Sequence, residues 1–344
     1  MARIIHIYIY VGKRVVFMRE KLNSWWIRRS HKRALNGGDT LGGKMKRRYR
    51  FFQIGFFVLL LGYGGMAWLH YDYWIFRVLI AGNYIFTDDL DALYDRHILE
   101  ENRRSFHRDF DRVMISVFTE AIREINDDRY TYLYTPQAHV AVREQEQARG
   151  RQATIEPLTD TTVYLWVPNI SRWSRDFVLD QVDELARYEN IILDLRYNSG
   201  GMLRDFHRIA DLFVPRGAVL GHEVTRWSLF TRTVTASGQR SGPALQYNHI
   251  IILQNHRTAS AAEGLIQALT YHLPNVTTIG TRTFGKGVGQ VTIPLTGGYA
   301  VRASVLLVTG PGGEDIHHVG IYPQVAGDEA LDWVQQALAM IYGE

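Results

Sequence analysis

The sequence contains no cysteine among its 344 residues. A chain without cysteine has no disulfide framework, no thiolate nucleophile and no cysteine-ligated zinc or iron–sulfur site. The composition is otherwise that of a folded protein, because 46% of residues are hydrophobic and 22% are charged. That balance excludes a chain that is mainly disordered or fibrous. At one domain per about 150 residues, the length predicts two domains.

Acidic residues are scarce in the first fifty positions, which hold 14 Lys and Arg but only two Asp and Glu, a net charge of +12. The rest of the chain holds 25 basic and 33 acidic residues, a net charge of −8. The overall charge of +4 therefore does not describe the body of the protein. Because a nucleic-acid-binding domain needs a basic surface, we expect no nucleic-acid partner.

Charge of either sign is absent from residues 51–69. A helix of that length spans about 28 Å, close to the ~30 Å hydrocarbon core of a bilayer. Basic residues at 46–50 precede the segment and aromatic residues at 68–74 follow it. The positive-inside rule then predicts a single-pass anchor in the cell membrane, with residues 1–50 as a basic cytoplasmic leader and the remainder extracytoplasmic. A cleaved signal peptide and a buried core helix are the alternatives.

The leader carries one further hypothesis. Gly42, Gly43 and Lys44 directly precede Met45. Codons for paired glycines can spell a purine-rich ribosome-binding sequence at the right distance from a start codon. We therefore hypothesise that Met45 is the natural start and that residues 1–44 are not translated in nature. A genuine basic tail beginning at Met1 is the alternative.

Hydrophobic spacing divides the rest of the chain into three parts. Residues 75–136 are predicted to be mainly helical, because apolar residues recur at three- and four-residue steps over 88–126. Residues 137–160 are polar and are predicted to be a linker. Residues 161–344 alternate apolar runs with amphipathic stretches, which indicates an α/β core. Its strands are predicted at 163–167, 191–195, 250–253, 276–279, 291–293 and 299–308.

Lysine is almost absent from the body of the protein. Beyond residue 50 the chain has 24 arginines and one lysine, Lys286. Arginine stays protonated in proteins, whereas lysine can lose its proton when buried. A position that keeps lysine in such a chain is a candidate general base or Schiff-base amine, although chance is the simpler alternative. A phosphate-binding loop is excluded, because Gly287 stands where that motif requires Ser or Thr and no helix pattern follows.

Two further segments contain candidate functional residues. Ser260 follows a predicted strand and opens a predicted helix, so its hydroxyl is either a helix cap paired with Glu263 or a nucleophile near backbone N–H groups. The sequence alone does not decide between the capping role and the nucleophile role of Ser260, and the two roles can coexist. Gly200 and Gly201 follow another buried strand, where paired glycines allow close backbone approach or simply form a turn.

These segments together resemble the tail-specific, or carboxyl-terminal processing, serine peptidases (peptidase family S41). The resemblance runs from about Asp88 to Val325 and depends on several motifs in one order. The matching segments are Asp127–Pro136, Asp194–Gly201, Ser260–Glu263, Thr283–Gln290, Pro311–Ile316 and Gly320–Pro323.

The resemblance implies an α/β fold with a ClpP/crotonase-like peptidase core, an N-terminal helical region and one transmembrane helix. It implies that Ser260 is the nucleophile, Lys286 the general base and Gln290 the residue that orients the lysine. The N–H groups of Ala261 and of Gly200 or Gly201 would form the oxyanion hole. Neither a metal nor a cofactor is required, and the substrate would be a polypeptide. A triad of Ser260 with His207, His256 or His272 has no supporting spacing.

The chain departs from the family in one respect. Most members carry a PDZ domain of roughly 80–100 residues before the strand that matches 163–167, and here about 26 residues are available. We therefore expect access to be controlled by the helical region, the membrane, a regulatory partner or a homo-oligomer. The function expected is a membrane-anchored serine endopeptidase that processes or degrades exported proteins. A catalytically silent, membrane-tethered peptide-binding scaffold is the alternative.

Overall fold

The structure, a computed structural model, describes residues 39–80, 83, 110–226, 231–238, 244–327 and 332–343. It divides into two units, residues 1–69 and residues 70–344. The described part of the first unit is one helix, α1 (Asp39–Leu69). Within the described residues, α1 contains the one stretch that is long and apolar enough to cross a membrane, Tyr49–Leu69, and none of it is buried. Length and composition fit a membrane anchor and a signal sequence equally well.

The second unit contains two β-sheets. One has six strands in the order β11-β8-β7-β4-β3-β2, and all neighbours are parallel except the β2–β3 pair. These strands are β2 (Thr154–Pro157), β3 (Thr162–Trp166), β4 (Asn190–Asp194), β7 (His249–Gln254), β8 (Val276–Gly280) and β11 (Val325–Ala326).

The second sheet is antiparallel, with the order β1-β10-β5-β6 and β9 also paired to β10. Its strands are β1 (Tyr132–Tyr134), β5 (Val219–Thr225), β6 (Thr231–Thr235), β9 (Val288–Pro294) and β10 (Ala300–Thr309). The 3₁₀ turn Thr296–Gly298 joins β9 to β10.

Helices cover the sheets. They are α2 (Tyr71–Ile75), which continues into the π-helical turn Phe76–Ile80, α3 (Phe110–Asn126), α4 (Pro136–Gly150), α5 (Arg172–Asp180), α6 (Val182–Leu185), α7 (Leu203–Ala210), α8 (Ala261–His272) and α9 (Trp333–Tyr342).

Strand residues alternate between two cores, as the two-residue period of a strand requires. Ile191 and Leu193 of β4 point into the larger core, which α5 to α8 cover, whereas Ile192 points into a smaller core with Ala337 of α9. The parallel sheet is thus buried on both faces, which explains its continuous apolar runs.

The segment directly after α1 belongs to the second unit. Phe76 is almost fully buried and meets Phe118 of α3 edge to face, with 5.4 Å between ring centroids. The carboxylate of Asp72 is buried and accepts hydrogen bonds from the N–H of Thr296, at 3.0 Å, and from its hydroxyl, at 2.5 Å. His70 and Asp111 add an ion pair at 2.8 Å. Residues 70–80, which directly follow α1, are therefore part of the folded unit.

The predicted strands of the parallel sheet are observed, but the linker predicted over 137–160 is not. That segment contains α4 and β2. Helix α4 is polar on nearly all sides, so hydrophobic spacing gave no signal, and it begins at Pro136 with Thr135 as the N-cap. Strand β2 is largely exposed at the sheet edge. Strands β1, β5 and β6 were also not predicted. Of the helix predicted over 88–126, residues 110–126 are observed and 88–109 lie outside the described residues.

Candidate active site

Most of the predicted site residues follow the carboxyl ends of β4, β7 and β8, where adjacent parallel strands end at one sheet edge, and Gln290 lies on β9. The loop after β4 is fixed by Asn198. Its side-chain amide donates to the carbonyl of Val167 at 2.8 Å, and its side-chain oxygen accepts from the N–H of Gly200 at 2.9 Å. The carbonyl of Asn198 accepts from the N–H of Ala259, so this loop lies directly against the residue that precedes Ser260.

Two close contacts with neighbouring backbone require glycine at positions 200 and 201. A Cβ atom on Gly200 would lie 2.9 Å from the backbone nitrogen of Ala261 and 2.8 Å from Cβ of Ser260. A Cβ atom on Gly201 would lie 1.8 Å from the carbonyl oxygen of Ile170. Both glycines also have positive φ, +87° and +153°. The absent side chain of Gly200 therefore leaves space in front of the Ala261 N–H group.

Ser260 occupies a strained position between β7 and α8, with φ 55° and ψ −121°. Such a backbone costs a non-glycine residue on the order of 1–3 kcal/mol and is concentrated at functional sites. Ser260 and Glu263 form a capping box at the start of α8, in which the carboxylate of Glu263 accepts from the N–H of Ser260 at 2.7 Å. The capping position of Ser260 is compatible with a second role for its hydroxyl.

Glu263 also holds the loop that carries Lys286. Its side chain is fully buried. One carboxylate oxygen accepts from the N–H of Lys286 at 2.9 Å, and the other accepts from the N–H of Gly285 at 2.7 Å and from the hydroxyl of Thr283 at 2.5 Å. One carboxylate thus fixes the backbone of Ser260 and of Lys286 at once.

The amine of Lys286 has defined partners. Its Nζ donates to Oε1 of Gln290 at 2.9 Å and lies 4.5 Å from the centre of the Tyr130 ring. Gln290 in turn donates from Nε2 to the carbonyl of Tyr130 at 2.5 Å. Among the described residues, Nζ makes no hydrogen bond with Oγ of Ser260, although Ser260 and Lys286 line the same small cavity.

Burial and, to a smaller extent, the guanidinium of Arg302 lower the pKa of Lys286 from 10.5 to about 8, whereas the carboxylates of Asp128, Glu263 and Glu146 oppose the shift. Desolvation penalises the ammonium form, and a second cation repels it. The neutral amine is therefore accessible near pH 8. That is the state in which lysine can accept a proton from a hydroxyl.

A larger cleft of about 370 Å³ opens beside the amine. Its lining is mostly aromatic and apolar, with two arginines. The lining residues are Tyr130, Arg149, Tyr197, Ser199, Arg257, Ala259, Phe284 and Lys286.

Six residues were predicted for the site. Gly200 lies against Ser260 and Ala261, Lys286 is hydrogen-bonded to Gln290, and the two groups meet where Ser260 and Lys286 line one small cavity. Gly201 is adjacent in sequence and packs on Ile170.

Sequence reasoning missed the contributions of Tyr130 and Arg302 and treated Glu263 only as a helix-cap partner. The motif Asp127–Pro136 is the signal that could have found Tyr130. The three histidines weighed as triad partners, His207, His256 and His272, do not line either cavity of the described residues.

Residues 161–326 match the family model of peptidase family S41. The match covers just under half of the chain, so the family is assigned to this segment.

Curated relatives of this S41 domain include a carboxy-terminal-processing protease from Bartonella bacilliformis, 32% identical over 162 residues, which are 47% of this chain and 36% of that protein. A carboxyl-terminal-processing protease from Synechocystis is 33% identical over 153 residues, which are 44% of this chain and 34% of that protein. This chain thus spans about a third of the length of these relatives.

Solved structures share the fold. A lipoprotein from Streptococcus agalactiae superimposes with a TM-score of 0.62 at 17% identity, over 80% of this chain and 96% of that one. A photosystem II D1 C-terminal processing protease superimposes with a TM-score of 0.59 at 17% identity, over 80% of this chain and 97% of that one. The architecture is therefore the α/β fold of S41 proteins, as the resemblance implied.

Proposed function

We propose that this protein is a membrane-anchored serine endopeptidase that hydrolyses peptide bonds through an acyl-enzyme on Ser260. Lys286 is the general base and Gln290 orients it. The observation that carries the proposal is the position of Lys286. Its amine lines the same cavity as Ser260, donates to a neutral amide, and has its pKa lowered to about 8.

The chemistry proceeds in two halves. Neutral Lys286 takes the proton from Oγ of Ser260 as that oxygen attacks the peptide carbonyl carbon. The carbonyl oxygen becomes an oxyanion. The C–N bond then breaks, and the leaving amine receives the proton from the lysine ammonium. Water then attacks the resulting ester, with the neutral amine of Lys286 as the base. The bond between the acyl carbon and Oγ breaks, the proton passes from Lys286 to Oγ, and the carboxylic acid and free Ser260 are released. The first step requires Nζ of Lys286 to come within hydrogen-bond distance of Oγ of Ser260. Catalytic hydrogen bonds of this kind often form only when the substrate is bound.

Two backbone N–H groups are proposed to stabilise the oxyanion. Ala261 lies at the first position of α8, where the N–H has no partner within the helix. The N–H of Gly200 already donates to Asn198, which favours the N–H of Gly201 as the second donor. The missing side chain of Gly200 leaves room for the substrate oxygen in front of Ala261.

The place of action is also a proposal. Helix α1 contains an apolar stretch of 21 residues that is not buried, and basic residues precede it. We infer a single-pass anchor with the S41 domain outside the cytoplasm, where the polypeptide substrates would be exported proteins. The start at Met45 stays a prediction, and so does the uncleaved state of the anchor.

The test uses the full chain in detergent and casein as an unstructured substrate. We expect cleavage by the wild type and its loss, by at least about 10³-fold, in Ser260→Ala and Lys286→Ala. Ser116→Ala is the matched control, because Ser116 is exposed on α3 and lines neither cavity. Equal activity in all four proteins would refute the dyad. No activity in any of them would favour the catalytically silent scaffold.

A further inference from the structure

Asp128 is a buried acidic residue that takes no direct part in the proposed reaction. It lies two residues beyond the end of α3 and is 2% exposed. A carboxylate removed from water is costly unless hydrogen bonds satisfy its oxygens. Oδ1 of Asp128 accepts from the N–H of Tyr130 at 2.9 Å, and Oδ2 accepts from the hydroxyl of Thr131 at 2.6 Å. The side chain thus fixes the turn between α3 and β1.

The same carboxylate ties this turn to β10. The hydroxyl of Ser304 donates to Oδ1 of Asp128 at 3.3 Å, and the N–H of Ser304 donates to Oγ1 of Thr131 at 3.1 Å. Ser304 is the residue of β10 that stands opposite Gln290 of β9 in the antiparallel ladder. The turn that Asp128 holds therefore lies beside the backbone that carries Gln290.

Tyr130 connects this turn to the lysine. Its carbonyl accepts from Nε2 of Gln290 at 2.5 Å, and Oε1 of Gln290 accepts from Nζ of Lys286 at 2.9 Å. A backbone carbonyl only accepts hydrogen bonds, so it binds the N–H₂ end of the Gln290 amide and leaves the oxygen end for the lysine. A reversed amide would turn its N–H₂ group toward the amine, which would then lose its acceptor.

We propose that Asp128 is a positioning residue for the peptidase reaction. By holding the backbone of Tyr130, its carboxylate fixes the orientation of the Gln290 amide and thereby the place of the Lys286 amine. The inference rests on the proposed peptidase function. Asp128 lines neither of the two cavities beside Lys286, so it acts through Tyr130 and Gln290 rather than on the substrate.

The charge of Asp128 supplies a second signature. Four charged side chains act on the amine of Lys286: Arg302 of β10 lowers its pKa, whereas Asp128, Glu263 of α8 and Glu146 of α4 raise it. Replacing Asp128 by a neutral residue removes an anion that favours the ammonium form, so the pKa of Lys286 should fall below about 8.

The first test titrates Lys286 directly and needs no activity. The full chain, in detergent and ¹³C-labelled at Cε of lysine, is followed by NMR from pH 6 to 11. The other five lysines lie within residues 13–46, and the signal missing from Lys286→Arg identifies Lys286. Asp128→Asn should lower its pKa. Asp127→Asn is the matched control, because Asp127 is a neighbouring carboxylate that is 74% exposed, and it should change nothing. An unchanged pKa in Asp128→Asn would overturn the inference.

The second test is a double-mutant cycle on kcat/KM at pH 9.5, where the amine is mostly neutral. Asp128→Ala should lower kcat/KM by roughly 10- to 100-fold, because Lys286 loses its fixed place. In a Gln290→Leu background the same substitution should cost less than about 2-fold, because the amide it orients is already gone. Equal losses in both backgrounds would overturn the positioning role.

Folding and the peptidase function are controlled separately. Near-UV circular dichroism checks that each variant folds. If Asp128→Ala does not fold, Asp128→Asn replaces it in the cycle with a smaller expected loss, because its amide oxygen still accepts from the N–H of Tyr130. Casein cleavage by the wild type without coupling between positions 128 and 290 would remove only this inference. Without casein cleavage the peptidase proposal fails, and the titration alone decides whether Asp128 acts on the lysine.

Discussion

Replacing Gln290 by glutamate should raise the pKa of Lys286 and displace the pH dependence of peptide hydrolysis upward. In the wild type, Nζ donates to a neutral amide oxygen at 2.9 Å, and burial lowers the pKa of the amine to about 8. The substitution keeps the hydrogen-bond acceptor and adds one negative charge at the same place. An anion at that distance stabilises the ammonium form.

The magnitude follows from the pKa and the distance. An opposite charge within about 4–6 Å moves a pKa by roughly 1–3 units, so Lys286 would titrate at about 9–11. With a pKa of about 8, roughly a quarter of the wild-type amine is neutral at pH 7.5. In the variant the neutral fraction falls to between about 3% and 0.03%. At pH 7.5, kcat/KM should therefore fall by about 10- to 1,000-fold.

The assay is kcat/KM of the full chain for a peptide substrate between pH 6 and 10.5. The wild-type rate should rise through about pH 8, because the base acts only when deprotonated. Gln290→Glu should follow the same curve at higher pH and recover at least about a quarter of its plateau activity at pH 10.5. Gln290→Leu is the control, since it removes the hydrogen bond without adding charge and should lower the rate without an upward displacement. A loss in Gln290→Glu that is equal at every pH would refute the reasoning.

Three further outcomes are expected. Because folding lowers the pKa of Lys286, burial of its ammonium form reduces the stability of the wild type below pH 8, and this loss fades as the pH rises toward 10.5. Lys286→Met should therefore raise the unfolding free energy by about 1–2 kcal/mol at pH 7, and by less above pH 8. An increase that is the same at every pH would contradict this. Glu263→Gln places an amide N–H₂ opposite backbone N–H donors, so the unfolding free energy measured in urea should fall by about 2–4 kcal/mol and kcat should also fall. Wild-type values for both quantities would count against a positioning role for Glu263. Asp72→Ala should cost about 2–3 kcal/mol by urea unfolding, because it removes the buried acceptor of the hydrogen bonds from the N–H and the hydroxyl of Thr296. The exposed Asp160→Ala should change little, and equal effects of the two substitutions would show that the segment after α1 is not docked.

The parallel sheet could be predicted from the sequence because its strands are buried on both faces. Residues 191–195 and 250–253 are continuous apolar runs, and such runs occur in strands covered on both sides. Helix α4 could not be predicted in this way. It has almost no apolar face, and its stability depends on helix-forming residues and on its capping by Thr135, which hydrophobic spacing does not detect.

The candidate active site shows the same distinction between features that the local sequence predicts and features that depend on tertiary contacts. Ser260, Lys286 and Gln290 could be proposed because residue type and spacing carry the chemistry. The ring contact of Tyr130 with the lysine and the charge of Arg302 near it could not be predicted. Tyr130 precedes β1, Arg302 lies on β10, and the pairing of these two strands joins positions far apart in sequence. The close approach of Gly201 to Ile170 is likewise a tertiary contact that no local pattern encodes.

The most direct test of the central claim is covalent labelling of the nucleophile. The full chain is treated with a fluorophosphonate, whose fluoride leaves as a serine oxygen bonds to phosphorus, and the adduct is located by mass spectrometry. The account predicts one adduct, on Ser260, that forms faster as the pH rises through about 8 and is strongly slowed in Lys286→Ala. A Ser260 that stays unlabelled at every pH, or that reacts equally fast without Lys286, would contradict it.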